Sequence, residues 1–457
     1  MARYFKPAKK KPFDNTPVEV NITNLSHDGR GLARVNGKAL FVDGALPGET
    51  VRAKYTNQKS KFAEATTLNV LQASLQRVTP DCPHFNQCGG CQIQHLAAES
   101  QIEIKQQQAL AQLQRIGNTT PTEILPPLDG EHWHYRRRAR LGLVVDRSGR
   151  ISVGFRRKQS KKRVAIEKCP VLEPRGERLL MPLNQLLNRL QQPLAISHLE
   201  ICLADEQAAL VVRHPRPLPD ADIELLQHML REYGFTLFLQ PGGIETLHQS
   251  VEEGASAISL SYQLDRPNDD NNTPLTLEFH PSDFTQINAP INRQMIDLAL
   301  ALLQPNSEDR ILDLFCGLGN FSLPLACYAE KVVGVEAIES MVERGRHNAA
   351  LNKLDNISFV AADLTQAVND QPRFKALLKE GFNKVLLDPP RSGAVEVLVP
   401  LARLSPQQIL YISCDPATLA RDSAELVRLG YQLQRWTVIN MFPHTSHVES
   451  IALFIKN

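Results

Sequence analysis

From about His280 to the C-terminus the chain repeats one pattern. Short apolar runs (ILDLF, KVVGVE, ISFVAAD, KVLLDPP and QILYIS) are each followed by a helical stretch, and a final pair of strands closes the series. Two strands joined through a helix lie parallel, so this alternation predicts a doubly wound parallel sheet. Such sheets hold their ligands at the carboxyl ends of the strands.

The rest of the chain needs other architecture. At about 150 residues per domain, 457 residues suggest about three domains, and a 42% apolar composition can build real cores. Residues 1–14 hold five Lys/Arg and no acid before Asp14, and they read as a basic tail. From Pro17 to Ala73 the pattern is all-β: Val18 to Ile22 alternate with period two, and Gly29, Gly31, Gly37, Gly44 and Gly48 mark turns. Short strands at this spacing suggest a small closed barrel. A polar helix is expected over 99–116, packing on the C-terminal domain, and 175–280 mixes helices and strands. No run approaches about 18 apolar residues, which argues against a membrane span. No apolar segment follows the basic N-terminus, so the chain is expected to stay in the reducing cytoplasm.

In that compartment clustered cysteines are more often metal ligands than disulfides. Cys82, Cys88 and Cys91 lie within ten residues, with Gly89-Gly90 supplying a tight turn, and Cys169-Pro170 follows at the end of a basic stretch. Four thiolates at this spacing suit zinc or an iron-sulfur cluster equally. The basic stretch, residues 136–168, holds thirteen Lys/Arg against two acids inside a chain whose net charge is only +2. Charge of one sign gathered on one surface makes a phosphate backbone the natural partner. Trp133, His134 and Tyr135 flank it and serve equally as base-stacking or as packing residues.

In the C-terminal part, Asp313 ends the first strand, Gly317 and Gly319 make the turn, Glu336 ends the second strand and Asp363 the third. An acid at the first strand end suits a cationic ligand better than a pyrophosphate. Glu336 can accept from ribose hydroxyls and Asp363 from an adenine amino group. A dinucleotide site would prefer a third glycine where Ser322 stands, which argues against NAD. This ordered set resembles the S-adenosylmethionine (SAM) site of class I methyltransferases.

Asp388-Pro389-Pro390-Arg391 after the fourth strand is a stiff extended loop. The fifth strand delivers Cys414-Asp415-Pro416. The C5 carbon of uracil is a poor nucleophile, and addition of a thiolate to C6 turns C5 into an enolate carbon able to take a methyl group. Amino-group methylation needs no such thiol. A base must then remove the C5 proton, and Glu449 in His447-Val-Glu449-Ser450 is the leading candidate, with His447 as a helper.

FTQIN, DLFCGLGNF, LDPPRSG, YISCDPATLARD and HVES together resemble the RNA uracil-C5 methyltransferase family, and HDGRGLARVNGKALFVDGALPGE resembles a TRAM domain, an RNA-binding OB-like barrel. The resemblance implies four parts: the basic tail (1–14), a TRAM barrel (15–75), a central α+β iron-sulfur and RNA-binding domain (76–280), and a Rossmann-like class I methyltransferase domain (281–457). It implies Cys414 as nucleophile, Glu449 as general base and Asp388 as a third catalytic group. Gln286, Phe315, Asn320, Glu336, Asp363 and Asp388 would contact SAM. It tips the choice at Cys82, Cys88, Cys91 and Cys169 to [4Fe-4S], in a structural and RNA-positioning role. The barrel and the cysteines point to the branch acting on 23S ribosomal RNA rather than tRNA, with the target uridine flipped out of its stack. No membrane or obligate protein partner is implied. The rivals are the same chemistry on another rRNA uridine or on tRNA, and a non-catalytic iron-sulfur RNA-binding protein.

Overall fold

The computed structural model describes residues 16–251, 258–267, 273–366 and 371–457. The basic tail expected over 1–14 lies outside them. The described residues fall into two compact units: one holds 16–80, 91–104 and 444–446, the other 81–90, 105–443 and 447–457.

In the first unit, β1 (Val18–Asn21), β2 (Asn24–Leu25), β3 (Gly31–Val35), β4 (Lys38–Asp43), β5 (Thr50–Gln58) and β6 (Phe62–Gln72) form one sheet in the order β1-β5-β6-β4-β3-β2. Period-two alternation sends Val20, Ala33, Leu40, Val42, Val51, Ala53, Ala63 and Ala65 into one core. Among the described strands the ladder begins at β1 and ends at β2. These two edges are successive parts of one stretch, 18–25, whose first half pairs with β5 and whose second half pairs with β3, with Ile22 N donating to Glu49 O (2.9 Å) and Thr23 N to Leu32 O (2.9 Å) between them, so the ladder returns on itself as the expected barrel requires. Glu49, buried, accepts from Leu46 N (2.8 Å) and from Arg77 Nε (2.5 Å) and so pins the chain that leaves β6. Ile93 and Leu96 pack on Leu25 and Leu46.

The second unit takes up the chain within α1 (Ala98–Gly117) and continues through β7 (Glu123–Ile124), β8 (Arg138–Val145), β9 (Ile151–Arg156), β10 (Arg163–Ala165), α2 (Pro174–Arg178), α3 (Leu180–Leu187), β11 (His198–Leu203), β12 (Ala208–Arg213), α4 (Asp220–Glu232), β13 (Thr236–Gln240) and β14 (His248–Gln249). Seven of these strands make a mixed sheet in the order β10-β9-β8-β11-β12-β13-β14. An antiparallel pair follows, β15 (Leu260–Leu264) with β16 (Leu275–Phe279).

After α5 (Ala289–Leu303) comes the predicted alternation: β17 (Arg310–Leu314), α6 (Ser322–Ala326), β18 (Lys331–Glu336), α7 (Glu339–Leu351), β19 (Ile357–Ala361), α8 (Pro372–Leu377), β20 (Lys384–Leu387), α9 (Val395–Leu404), β21 (Gln408–Ser413), α10 (Pro416–Arg428), β22 (Tyr431–Ile439) and β23 (Glu449–Lys456). The sheet order is β19-β18-β17-β20-β21-β23-β22-β7. Strands β17 to β21 are parallel, and β23 inserts antiparallel between β21 and β22. Both faces of this sheet are covered, so β17, β20 and β21 are buried in near-continuous runs rather than in alternation. The chain moves outward from β17 to β19 and then returns to β20 on the other side of β17. The switch point lies between β17 and β20, where a ligand crevice is expected.

Candidate active site

Strand β17 ends in a turn that only particular backbones allow. Phe315 (φ 63°), Gly317 (φ 57°) and Gly319 (φ 100°) all lie in left-handed space. A Cβ on Gly319 would stand 2.3 Å from Leu323 Cδ1 and 3.2 Å from Phe359 Cζ, so the turn closes on α6 only without a side chain there. Gly317 N donates to Glu336 Oε2 (3.2 Å), and Ala337 N (2.8 Å) and Ile338 N (3.1 Å) donate to Oε1. Glu336 is thereby fixed at the end of β18 with lone pairs still open.

Asp313 is fully buried, and Ser322 Oγ donates to its Oδ2 while Oδ1 has no hydrogen-bond partner. Burial, reinforced by the charges of Asp388 and Glu336, pushes this carboxyl up to about 8. The sequence signal for Ser322 was its place where a dinucleotide fold has glycine; the structure gives it the role of donor to Asp313. Asn320 Oδ1 accepts from Tyr262 Oη (3.0 Å) and Asn292 Nδ2 (2.9 Å), and its own Nδ2 donates to Asn292 Oδ1 (2.9 Å). Gln286 lines a small cleft with Tyr262, Ala289 and Asn292. Tyr262 and Asn292 thus link two residues that sequence reasoning named separately, and neither sits in a motif that marks it. Asp363 makes its side-chain hydrogen bonds within its own turn: its carboxylate accepts from Thr365 Oγ1 (2.6 Å), Thr365 N (2.9 Å) and Gln366 Nε2 (2.6 Å), which hold it below the usual carboxylate range.

The second cluster lies at the ends of β20, β21 and β23. Asp415 caps α10 by accepting from Ala417 N (2.9 Å) and Thr418 N (3.0 Å), with Pro416 in the first turn. This cap leaves Cys414, partly exposed, at the strand end just before the helix. Its thiol is pushed up to about 12, first by burial and then by Glu449 and Asp388, while Arg391 pulls it down. Burial alone raises Asp388 to about 7. Glu449, opposite Ile439 in the β22–β23 ladder, is buried and raised well above the carboxylate range, by burial first and then by Asp388. The site therefore gathers one thiol, two carboxyls that burial favours as neutral acids, and one guanidinium.

Arg391 carried no role in the sequence reading. Its Nη2 donates to His447 Nδ1 (2.8 Å). That bond requires an unprotonated Nδ1, in keeping with the pKa of His447 near 4, lowered by burial and by the Arg391, Lys105 and Arg136 charges. The loop carrying Asp388 is clamped to α10: Ala394 N donates to Asp422 Oδ2 (2.8 Å), Tyr411 Oη donates to the same oxygen (2.7 Å), and Arg421 Nη2 donates to Ser392 O (2.8 Å).

The basic stretch divides in two. Arg137 pairs with Asp205 (2.5 Å) and Arg138 with Glu200 (2.5 Å), so most of the arginine run serves the fold. Tyr135 is buried and its Oη donates to Pro443 O (3.0 Å), which makes it a packing residue. Arg156, Arg157, Lys161, Lys162 and Arg163 around the β9–β10 hairpin are exposed.

On that hairpin lies the loop of Cys82 and Cys88. Gly89 N donates to Arg156 O (2.8 Å), Lys158 N to Gln87 O (2.9 Å), and Lys158 Nζ stands 4.0 Å from the Phe85 ring centroid. Gly90 N donates to Cys88 Sγ (3.4 Å), and backbone N–H groups of His84 and Phe85 favour the thiolate of Cys82 against its burial. Cys169 N donates to Glu177 Oε1 (3.0 Å), a carboxylate whose charge also reaches Cys82. Cys91, buried, belongs to the other compact unit. Among the described residues no three His, Cys, Asp or Glu side chains form a group that could hold a single metal ion. A cluster binds each thiolate to a different iron, and N–H donors on sulfur suit that chemistry.

An acid-lined switch point in a doubly wound sheet, with a thiol at the neighbouring strand end, is the arrangement of a class I methyltransferase. Known proteins agree. The family described as tRNA (Uracil-5-)-methyltransferase matches residues 262–457, and the TRAM domain matches 15–68. A 23S rRNA (uracil(1939)-C(5))-methyltransferase RlmD of Alkalilimnicola ehrlichii is 47% identical over 448 residues, covering 98% of each chain. That of Legionella pneumophila (strain Paris) is 43% identical over 452 residues, covering 98% of this chain and 99% of the relative. The crystal structure of Pyrococcus abyssi tRNA (uracil-54, C5)-methyltransferase with S-adenosyl-L-homocysteine shares the fold, with a TM-score of 0.70 at 22% identity over 96% of this chain and 100% of that one. The chain belongs to the RNA uracil-C5 methyltransferase family, in the group of RlmD-type enzymes.

Proposed function

We propose that this chain transfers a methyl group from SAM to C5 of a uridine in 23S rRNA, at the position its relatives' name gives as 1939. The observation that carries this reading is the partly exposed Cys414 thiol at the end of β21, within electrostatic reach of Glu449, Asp388 and Arg391.

Cys414 Sγ, as thiolate, attacks C6 of the flipped uracil, and the C5=C6 pair becomes an enolate with nucleophilic C5. C5 takes the methyl from the sulfonium, whose bonding pair stays on sulfur. Glu449, as carboxylate, removes the remaining C5 proton. The C5–H pair re-forms C5=C6 and the C6–Sγ bond breaks, returning the thiolate. Asp388, which burial raises to about 7, is suited in its neutral form to donate to a uracil carbonyl. A cationic methyl donor in the acid-lined crevice favours the ionised forms of Glu449 and Cys414, which burial disfavours. Glu336 holds the ribose, and Gln286, Phe315, Asn320, Asp363 and Asp388 line the remainder of the SAM site.

Residues 15–75 and the exposed hairpin of the central segment (76–280) grip RNA, and 281–457 perform the transfer. Cys82, Cys88, Cys91 and Cys169 would hold a [4Fe-4S] cluster, supported by the N–H donors on Cys82 and Cys88. The cluster would supply a structural staple between loop and hairpin. The reaction takes place in the cytoplasm, where the ribosomal RNA is. Mapping 5-methyluridine in RNA from a deletion strain complemented with this chain tests the reading. It expects restoration at one 23S position by the wild type and none by Cys414→Ala. Restoration in another rRNA position or in tRNA overturns the substrate, and restoration by Cys414→Ala overturns the chemistry.

A further inference from the structure

Lys105 sits where a lysine is costly. Its side chain is on α1 and only 3% exposed, and its Nζ donates to Asn440 Oδ1 (2.9 Å) and to Phe442 O (3.0 Å). Burial pushes the ammonium down to about 7, with the Asp129 charge opposing. Both acceptors belong to the short segment that leaves β22. Asn440 immediately follows Ile439, the ladder partner of Glu449. The same segment is tethered on other sides: Asn440 Nδ2 donates to Asp129 Oδ1 (2.7 Å), Asn440 N to Leu128 O (2.8 Å), Asn288 Nδ2 to Met441 O (3.4 Å) and Tyr135 Oη to Pro443 O (3.0 Å).

Two routes lead from Lys105 to the reacting groups. One is the ladder: Asn440 directly follows Ile439, which pairs with Glu449 in the last rung of the β22–β23 ladder. The other is the Phe442 ring, which meets the His447 ring at 5.5 Å between centroids, and His447 in turn holds Arg391. Arg391 is the cation whose charge acts on both Cys414 and Glu449.

We infer that Lys105 is a positioning residue for the proton-abstraction step: its buried ammonium fixes the Asn440–Phe442 segment, and through it the placement of Glu449 and of the His447–Arg391 pair. A shorter or apolar side chain leaves Asn440 Oδ1 and Phe442 O without their donor, and the segment relaxes away from the geometry that proton abstraction needs. Cys414 itself is anchored on β21 and the α10 cap, outside this segment, and feels it only through the Arg391 charge, so its attack on C6 is expected to suffer less than proton abstraction by Glu449. The inference rests on Glu449 being the base.

The test is Lys105→Met in the full-length chain, with a 23S rRNA fragment and SAM, run beside Glu449→Gln. The expected result is a folded protein whose KM for SAM stays within about twofold, whose kcat falls at least about tenfold, and in which a denaturation-resistant protein–RNA adduct accumulates, because addition outruns elimination. A folded variant with kcat within about twofold of wild type overturns the inference. So does a parallel loss of SAM binding, adduct formation and kcat, which marks general damage. If Lys105→Met does not fold, Lys105→Gln, whose side chain is too short to reach both acceptors, replaces it: the same kcat loss with adduct supports the inference, and a kcat within about twofold of wild type overturns it. If Glu449→Gln turns over without an adduct, the base assignment fails by itself. The kcat-against-KM split of the Lys105 variant then decides whether Lys105 positions the site at all.

Discussion

Asp313→Asn separates the needs of the methyl donor from those of the fold. Asp313 is fully buried, one of its oxygens has no partner, and its carboxyl titrates at about 8 instead of the usual 3.8. A raised folded-state value means that the neutral acid is favoured in the native chain. Its contribution to stability is complete below 3.8 and is lost as pH rises through about 8. At about 1.4 kcal/mol per pH unit, the loss above pH 8 is at most about 6 kcal/mol. Asparagine accepts the Ser322 hydrogen bond and never ionises, so it escapes this loss. The variant, measured without ligand by scanning calorimetry, should melt above wild type at pH 8, by about 5–10 °C for a domain of this size. That gap should shrink by about half at pH 5.5. Saturating SAM should stabilise the wild type more than the variant, because the variant has one acid fewer behind the crevice that the cationic donor enters. A gap that stays constant between pH 5.5 and 8, or equal stabilisation of both chains by SAM, would refute the reasoning.

Gly319→Ala places a methyl group 2.3 Å from Leu323 Cδ1 at φ 100°. It should destabilise the chain by about 2–4 kcal/mol in urea unfolding and abolish measurable SAM binding. Asp422→Ala strands the Tyr411 hydroxyl and the Ala394 N–H, both buried. The expected loss is about 2–5 kcal/mol, together with a kcat that falls more than the KM for SAM rises, because the Asp388 loop is freed from α10. Replacing Arg156, Arg157, Lys161 and Lys162 together by alanine should weaken binding of the rRNA fragment, with melting temperature unchanged. The slope of its salt dependence should flatten by about 0.7–0.9 for each phosphate that those side chains neutralise in the wild type. The same change at Arg137 and Arg138 should instead lower stability, since those guanidinia are paired inside the fold.

The catalytic sheet was legible in the sequence because its strands are buried on both faces and its functional residues stand at their ends. Asp313, Glu336, Asp388 and Cys414 follow directly from that periodicity. The grouping of these residues by charge was also readable, since acids at neighbouring strand ends must meet at the switch point. What the sequence hid lies in long-range pairing. The arginine run 136–138 looked like a surface field, but Asp205 and Glu200, more than sixty residues on, neutralise two of the three inside the fold. Tyr135 looked as able to stack on a base as to pack, until its hydroxyl found Pro443 O. Lys105 looked like one more polar residue on a polar helix, because helical periodicity cannot tell a solvated lysine from one aimed at a strand end more than three hundred residues away. Asn320, named from its motif, spends its amide on Tyr262 and Asn292, which no local signal announces.

The most direct measurement of the covalent step uses Glu449→Gln, a 23S rRNA fragment and SAM, followed by denaturing electrophoresis and mass spectrometry of the shifted band. The account predicts a protein–RNA species carrying the transferred methyl, with the nucleotide attached at Cys414, and its complete absence when Cys414→Ala is added. A Glu449→Gln enzyme that turns over freely without any adduct, or a Cys414→Ala enzyme that still methylates, would contradict it.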